Sequence, residues 1–305
     1  TEDETVQYVK VANDYTIVYN GSTAGSMPTP DFAQLPAGTL DYLLASSGDY
    51  YITESDKRFK KTDVTSFSDT GLGENPLTVN AVGSYNGSSY IKFGLKWKIS
   101  YNIDFVGNNY YSGGDGGFNL YDFTATQVHI TFDNVTSVTK LPSFENNYVF
   151  SGGKWETVTV NGIPKFRLVL DLRQKGAYMG CGATYNENGE LVLSFGIPTN
   201  NLSNMTIVID PGHGYCKSST LFDPGAVGFI TEYESNSGIA KELESQLKAL
   251  GANVIRIKTD SDFVLTAQRP AYGRGYGCDL FISIHSNKIP GNPSVRGTEV
   301  YYFTP

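Results

Sequence analysis

Two short sequences near the C-terminal end of the 305-residue chain could bind a metal ion. Residues 210–214 (DPGHG) and 283–287 (SIHSN) each follow an apolar run, and they contain two of the three histidines in the chain. Ligands and metals collect beyond the carboxyl ends of the strands in an open α/β sheet. His213 and His285 are therefore placed to share one metal ion, which points to a zinc hydrolase.

A third ligand is expected from a separate element. Catalytic zinc takes three protein ligands and leaves a position open for water. Glu232 fits best, because it stands at the edge of the sheet just before a predicted helix. Glu234 is the alternative within reach, and spacing alone leaves both open.

The elements that must position these residues form an α/β pattern over 205–305. The strand 207–209 is followed by a glycine-rich loop and by a helix over 236–250, with Gly251 as its C-cap. The predicted apolar face of the helix contains Ile239, Leu243, Leu247 and Leu250. Further strands are predicted at 253–257, 279–284 and 298–303. This alternation of strands and helix predicts a largely parallel sheet.

The N-terminal two thirds of the chain contain strand and turn signals only. Residues 1–65 predict a small β module, in which 50–52 and 58–60 form a hairpin around a polar turn. Residues 66–76 read as a linker, and 77–200 predict a β-sandwich-like module. The fold class is therefore multidomain, with N-terminal all-β modules followed by an α/β domain.

Composition excludes some classes of protein. The net charge is −8, and residues 1–204 carry 14 Lys+Arg against 21 Asp+Glu. Nucleic acid is therefore an unlikely partner. No segment reaches the ~18 apolar residues of a membrane-spanning helix. An odd count of three cysteines argues against a disulfide scaffold. Abundant Gly and Tyr with 18% charged residues suit a secreted or wall-associated protein.

Motifs in the last third of the chain match one known family in order and separation, at 208–214, 223–226, Glu232, Asn236, Ala240, Arg269, 279–287 and 297–302. On these residues, the segment from about 205 to 303 strongly resembles the zinc-dependent N-acetylmuramoyl-L-alanine amidases, whose fold is phosphorylase/hydrolase-like. The resemblance implies that His213, Glu232 and His285 bind zinc, and the register of Asn236 favours Glu232 over Glu234. An extra stretch, 215–222, departs from the family pattern and lengthens a loop beside the metal.

The resemblance also implies an activity on peptidoglycan. Zinc-activated water would cleave the amide between N-acetylmuramic acid and L-alanine of the stem peptide. The family's catalytic glutamate lies on a late strand, so we expect it beyond Pro305, together with the missing C-terminal part of the fold. Glu299 belongs to an earlier strand and does not take that role.

Several assignments keep an alternative. Arg269 either binds a carboxylate of the substrate or braces the edge of the sheet, and Asp210 either supports the metal site or caps the glycine turn. Residues 125–197 resemble the AMIN-type β-domains that localise such amidases on the wall. The rival functions are a non-catalytic, metal-holding wall-binding or wall-structural protein, and a zinc amidohydrolase of the same fold with a non-wall substrate.

Overall fold

The structure is a computed structural model. It describes residues 5–20, 29–31, 34–85, 87–107, 109–112, 119–122, 124–176, 180–199, 201–216, 218–259, 261–289, 291–292, 294, 296–298 and 300. Two compact units divide the chain, a first over Thr1–Pro198 and a second over Thr199–Tyr301. Within the described ranges, no helix is long and apolar enough to cross a membrane.

The first unit begins with an antiparallel sheet of seven strands in the order β3-β2-β6-β5-β4-β1-β7. The predicted hairpin is confirmed as β5 and β6, with Asp56 in the left-handed region at φ 64° in its turn. The strands are β1 (Val6–Val11), β2 (Tyr19–Asn20), β3 (Thr29–Pro30), β4 (Leu40–Ser47), β5 (Tyr50–Thr53), β6 (Lys57–Lys60) and β7 (Val64–Asp69).

Two further sheets of this unit pack face to face, with strand orders β14-β8-β9-β18-β17 and β10-β13-β16-β15. Phe93 packs on Phe132, and Phe150 on Phe195, with ring centroids 5.1 and 4.9 Å apart. A separate hairpin pairs β11 with β12. The strands are β8 (Pro76–Tyr85), β9 (Ser88–Gly94), β10 (Tyr101–Val106), β11 (Asn109–Ser112), β12 (Asn119–Asp122), β13 (Gln127–Phe132), β14 (Ser137–Val138), β15 (Phe150–Val160), β16 (Ile163–Leu172), β17 (Cys181–Tyr185) and β18 (Leu191–Gly196).

One hydrophobic core runs through all three sheets of the first unit. Lys57, on β6, is fully buried, forms a 3.0 Å ion pair with Asp31 and donates to Asn102 on β10. The hydroxyl of Tyr101 donates to the carbonyl of Gln34 at 3.3 Å. The separation into a 1–65 module and a 77–200 module stays a prediction.

The second unit is built on a parallel sheet with the order β22-β19-β23. A short antiparallel hairpin, β20 with β21, follows the central strand. The elements are β19 (Thr206–Pro211), β20 (Gly214–Tyr215), β21 (Phe222–Asp223), α1 (Glu232–Ala249), β22 (Asn253–Arg256), α2 (Arg269–Gly275) and β23 (Leu280–Ile284), with 3₁₀ turns at Leu202–Asn204 and Thr266–Gln268.

The predicted strands 207–209, 253–257 and 279–284 are confirmed as neighbours in a parallel sheet, but the helix prediction needs two corrections. Helix α1 begins at Glu232 rather than 236, because Thr231 and Glu234 form a capping box that starts it four residues earlier. Ile239 and Leu250 are exposed by 49% and 65%, so the predicted apolar face is wrong at both ends. Ala240 is fully buried instead, because its small side chain lets the helix approach the sheet. The predicted strand 298–303 lies mostly outside the described residues.

Candidate metal centre

His213 is carried by a tight turn directly after the central strand. Strand β19 ends at Pro211, after three buried apolar residues, and the turn continues through Gly212 to His213 and Gly214. His213 lies in the left-handed region at φ 64°, and Gly214 at φ 82°. Glycine suits that region because it has no Cβ. The turn thereby projects the imidazole beyond the carboxyl end of the sheet.

His285 follows the neighbouring strand and reaches the same edge. Pro211 on β19 pairs with Ile284 on β23 in the parallel ladder, and the N–H of Gly212 donates to the carbonyl of Ile284 at 2.9 Å. The two imidazole centroids are 5.0 Å apart. A Cβ on Gly212 would lie 2.5 Å from the ring of His285, so only glycine fits there. The predicted convergence of the two histidines is thus present in the structure.

Glu232 is the first residue of α1, and Thr231 is its N-cap. The Oε1 atom of Glu232 lies 3.0 Å from Nδ1 of His285 and 3.1 Å from Nε2 of His213. Glu234 is engaged elsewhere, because its carboxylate accepts the N–H of Thr231 at 2.8 Å in the capping box. Of the two glutamates that the spacing left open, Glu232 is the one beside both histidines.

Backbone donors hold the carboxylate of Glu232 in its charged form. Burial alone would raise the pKa of this carboxyl. The N–H of Ala226 donates to Oε2 at 2.9 Å and that of Ser286 donates to Oε1 at 3.0 Å, and both oppose the effect of burial. Together with the two imidazoles, they lower the pKa of Glu232 to about 2. The centre therefore presents a charged carboxylate beside the two imidazole rings.

The donor set fits a zinc ion. The three ligand atoms lie within 4.8 Å of one another. Two ligands of a tetrahedral zinc, each roughly 2.0–2.1 Å from the metal, are about 3.3 Å apart. The two distances from Glu232, 3.0 and 3.1 Å, are close to that separation. The side chain of His285 is 46% exposed, so solvent or a substrate can reach this group of ligands.

The loop before α1 packs tightly against this group through Gly225. This residue lies at φ 69°. A Cβ placed on it would be 2.7 Å from the ring of His213 and 2.8 Å from Oε2 of Glu232. The DPGA sequence at 223–226 therefore brings a backbone into contact with two of the three predicted ligands.

Arg269 lies behind the turn that carries His213, where it is 6% exposed. Its guanidinium donates to the carboxylate of Asp210 at 2.8 Å and to the carbonyls of Pro211 and His213 at 3.2 and 3.1 Å. Asp210 also accepts from the hydroxyl of Ser283 at 2.9 Å. These contacts support the bracing alternative for Arg269. Its binding of a substrate carboxylate stays a prediction.

Two residues of this region were missed as contributors. In the sequence Asp223 stands out only as the first residue of the DPGA motif at 223–226, but in the structure its carboxylate lies beside His213. Lys258, after β22, is 1% exposed, and its amine lies 5.8 Å from the ring centroid of Tyr233. A charged residue at the end of a buried strand was the available signal for Lys258. No local feature of the sequence indicates that Asp223 lies beside His213.

Comparison with known proteins agrees with the resemblance in the sequence. Residues 207–304 match the sequence profile of the family described as N-acetylmuramoyl-L-alanine amidase. The amidase AmiC of Neisseria meningitidis serogroup B is 40% identical over 97 residues, which cover 31% of this chain and 22% of that protein. LytC of Bacillus subtilis, named as the same kind of amidase, is 37% identical over 100 residues, covering 32% and 19%.

A third similar protein is named without a function. The uncharacterized protein YqiI of Bacillus subtilis is 34% identical over 102 residues, which cover 33% of this chain and 46% of YqiI. The chain thus spans less than half the length of each of these relatives. All three matches have about the length of the second unit.

Proposed function

We propose that the second unit is a zinc-dependent cell-wall amidase, because residues 207–304 match the N-acetylmuramoyl-L-alanine amidase family. The observation that carries the proposal is the contact of Glu232 with both His213 and His285 at the carboxyl ends of β19 and β23. These three residues would hold the metal. Catalytic zinc sites use such a set of three protein ligands.

Zinc bound there would polarise an amide carbonyl and lower the pKa of water towards ~7. The residues of the chain supply the setting for that chemistry. Glu232 stays anionic, and the N–H groups of Ala226 and Ser286 fix both of its oxygens. Ser286 also donates its hydroxyl to Asn236 at 2.9 Å, which ties the residue after His285 to α1. The ligands are therefore held before a metal arrives.

The substrate we propose is peptidoglycan, and the bond is the amide between N-acetylmuramic acid and L-alanine. The family resemblance implies that a glutamate carboxylate would carry out proton transfer in this reaction. The first unit would localise the enzyme on the wall, with residues 125–197 as an AMIN-like domain. Secretion or attachment to the wall follows from this substrate.

Hydrolysis of purified sacculi by the full-length protein tests the proposal. We expect soluble stem peptides with new L-alanine amino termini, and we expect a chelator or His213→Ala to abolish their release. The matched control is His129→Ala, because His129 lies on β13 of the first unit. It should retain full activity.

Other outcomes would favour the rival functions. Co-sedimentation with sacculi without release of peptides would favour a wall-binding protein. Zinc-dependent cleavage of small amides without any action on sacculi would favour an amidohydrolase with a different substrate. Equal activity of wild type and His213→Ala would show that the metal centre takes no part in the reaction.

A further inference from the structure

Asp223 is brought to His213 by the register of a hairpin. Gly214 on β20 pairs directly with Asp223 on β21 in the antiparallel ladder. Because residues directly opposite in such a ladder are about 4.5–5.5 Å apart, this pairing places Asp223 across from the residue that follows His213. The hairpin closes over the extra stretch 215–222 and is held by edge-to-face ring contacts, since the ring centroid of Phe222 lies 5.4 Å from that of Tyr215 and 5.0 Å from that of Tyr233.

The carboxylate of Asp223 faces the nitrogen of His213 that points away from the ligand group. Its Oδ1 lies 3.4 Å from Nδ1 of His213, while Nε2 of the same ring lies 3.1 Å from Oε1 of Glu232. The imidazole is therefore bracketed by two carboxylates, one at each nitrogen. Only Nε2 is directed at the proposed metal position.

Two donors hold the Asp223 carboxylate in this orientation. The N–H of Gly225 donates to Oδ1 at 3.0 Å, and the thiol of Cys216 contacts Oδ2 at 3.7 Å. Gly225 is the residue whose missing Cβ lets the loop touch the ring of His213. The same short turn thus sets both the position of the carboxylate and the space for the imidazole.

A neutral imidazole carries one N–H, and the nitrogen without it binds a metal. A carboxylate that accepts the Nδ1 proton fixes the tautomer and the orientation of the ring, and it raises the basicity of the other nitrogen. We propose that Asp223 is the positioning residue of His213, holding the proton on Nδ1 so that Nε2 is free for zinc. This inference rests on the proposed function of the centre.

Zinc affinity of the full chain tests the inference, measured by competition with a chromophoric chelator. Asp223→Asn keeps an oxygen for the N–H of Gly225 but removes the charge. We expect it to weaken zinc binding about 10- to 100-fold, as for other carboxylates behind a ligating histidine. The visible spectrum of the cobalt-substituted variant should also differ from that of wild type, because the ligand field supplied by His213 changes.

The matched control is Asp279→Asn. Asp279 is half-buried like Asp223, but it accepts the N–H of Thr206 at 2.7 Å, at the opposite end of the sheet. Its zinc affinity should stay within twofold of wild type. If Asp223→Asn also binds zinc within twofold and shows an unchanged cobalt spectrum, the positioning role is overturned while the metal site stands. If wild type itself binds no zinc, the inference and the proposed function both fall.

A second measurement needs no variant at Asp223. The chain has three histidines, so nitrogen NMR of the zinc-loaded wild type resolves each ring, and His129→Gln assigns the one on β13. We expect a protonated Nδ1 and a coordinated Nε2 at His213. A coordinated or unprotonated Nδ1 would overturn the inference even if Asp223→Asn failed to fold.

Discussion

Asp210 and Arg269 form a buried ion pair, with 2.8 Å between Oδ1 and Nη1, at the end of the strand that leads to His213. The pair joins three elements, because Asp210 is the last residue but one of β19, Arg269 begins α2 and the hydroxyl of Ser283 on β23 donates to the same carboxylate. Arg269 also satisfies the carbonyl of His213 itself. The backbone of one predicted ligand is thus anchored from behind.

Loss of the guanidinium should destabilise the second unit strongly. We expect Arg269→Met to lower the free energy of unfolding by about 3 kcal/mol, because removing one partner leaves the Asp210 charge buried and unpaired. The measurement is urea unfolding followed by the helical circular dichroism signal, since both α-helices of the described residues lie in this unit. Arg274→Met, at an exposed position of α2, is the control and should cost less than about 0.5 kcal/mol. Unchanged stability with weakened binding of substrate would instead support the substrate-binding alternative.

A methyl group at Gly225 should disrupt the metal centre. Gly225→Ala places a Cβ 2.7 Å from the ring of His213 and forces alanine to φ 69°, a conformation that costs roughly 1–2 kcal/mol. We expect zinc affinity to fall at least about 10-fold, because both His213 and Glu232 must shift. Gly238→Ala, in open space on α1, is the control, and it should bind zinc normally and gain roughly 0.5–1 kcal/mol of stability. Normal zinc binding by Gly225→Ala would show that the loop changes its conformation to accept the methyl group while His213 and Glu232 stay in place.

The buried amine of Lys258 should make the stability of the second unit depend on pH. Burial is the main cause that lowers the pKa of Lys258 to about 8, and the positive charge of Arg269 also lowers it. Asp210, Cys216 and Asp223 act in the opposite direction and raise this pKa. The unfolded chain, with a lysine pKa of about 10.4, binds more protons between these two values. Stability therefore rises with pH from about 8 to about 10.4.

The variant Lys258→Met removes this titration. We expect it to be more stable than wild type at pH 7, and the difference should shrink as the pH rises towards about 10. Urea unfolding of the zinc-free chain at several pH values measures it, with Lys241→Met on the exposed side of α1 as the control. A difference that stays constant with pH would mean that the amine is solvated in the folded protein.

The sheets of the first unit should depend on one another. A fragment over 71–198 loses Leu40, which forms a β-bridge with Ile99, and Gln34, which accepts from the hydroxyl of Tyr101. Ile99 and Tyr101 are both fully buried in the unit. We expect it to be less stable than 1–198 by at least about 3 kcal/mol, since burying a large apolar side chain contributes about 1.5–3 kcal/mol. Tryptophan fluorescence reports the transition, because Trp97 and Trp155 are the two tryptophans of the chain. Equal midpoints for both fragments would support the two independent modules predicted from the sequence.

Local sequence was sufficient to predict the elements that carry the two histidines. The short apolar runs before 210–214 and 283–287 favour strands, and parallel strands bring their carboxyl ends to one edge of a sheet. The sequence alone therefore predicted that His213 and His285 lie together. The helix start was predicted too late, although the Thr231 and Glu234 spacing of a capping box was present in the sequence.

The sequence favoured Glu232 over Glu234 mainly through the family resemblance, and the tertiary structure gives the physical reason. The two glutamates are two residues apart, and spacing does not tell which one faces the histidines. Helix geometry decides, because the N3 position of a capping box turns its carboxylate back to the N-cap, whereas the N1 position is left to face the sheet edge.

The contacts of His213 with Asp223 and Arg269 could not be predicted from the sequence, for a similar reason. Asp223 meets its ring through the register of a hairpin closed over eight intervening residues, 215–222. Arg269 meets its carbonyl across more than fifty residues. Periodicity and turn chemistry act over a few neighbouring residues, so they determine strands, turns and caps. Contacts between side chains distant in the chain are set by how those elements pack, which only the tertiary structure decides.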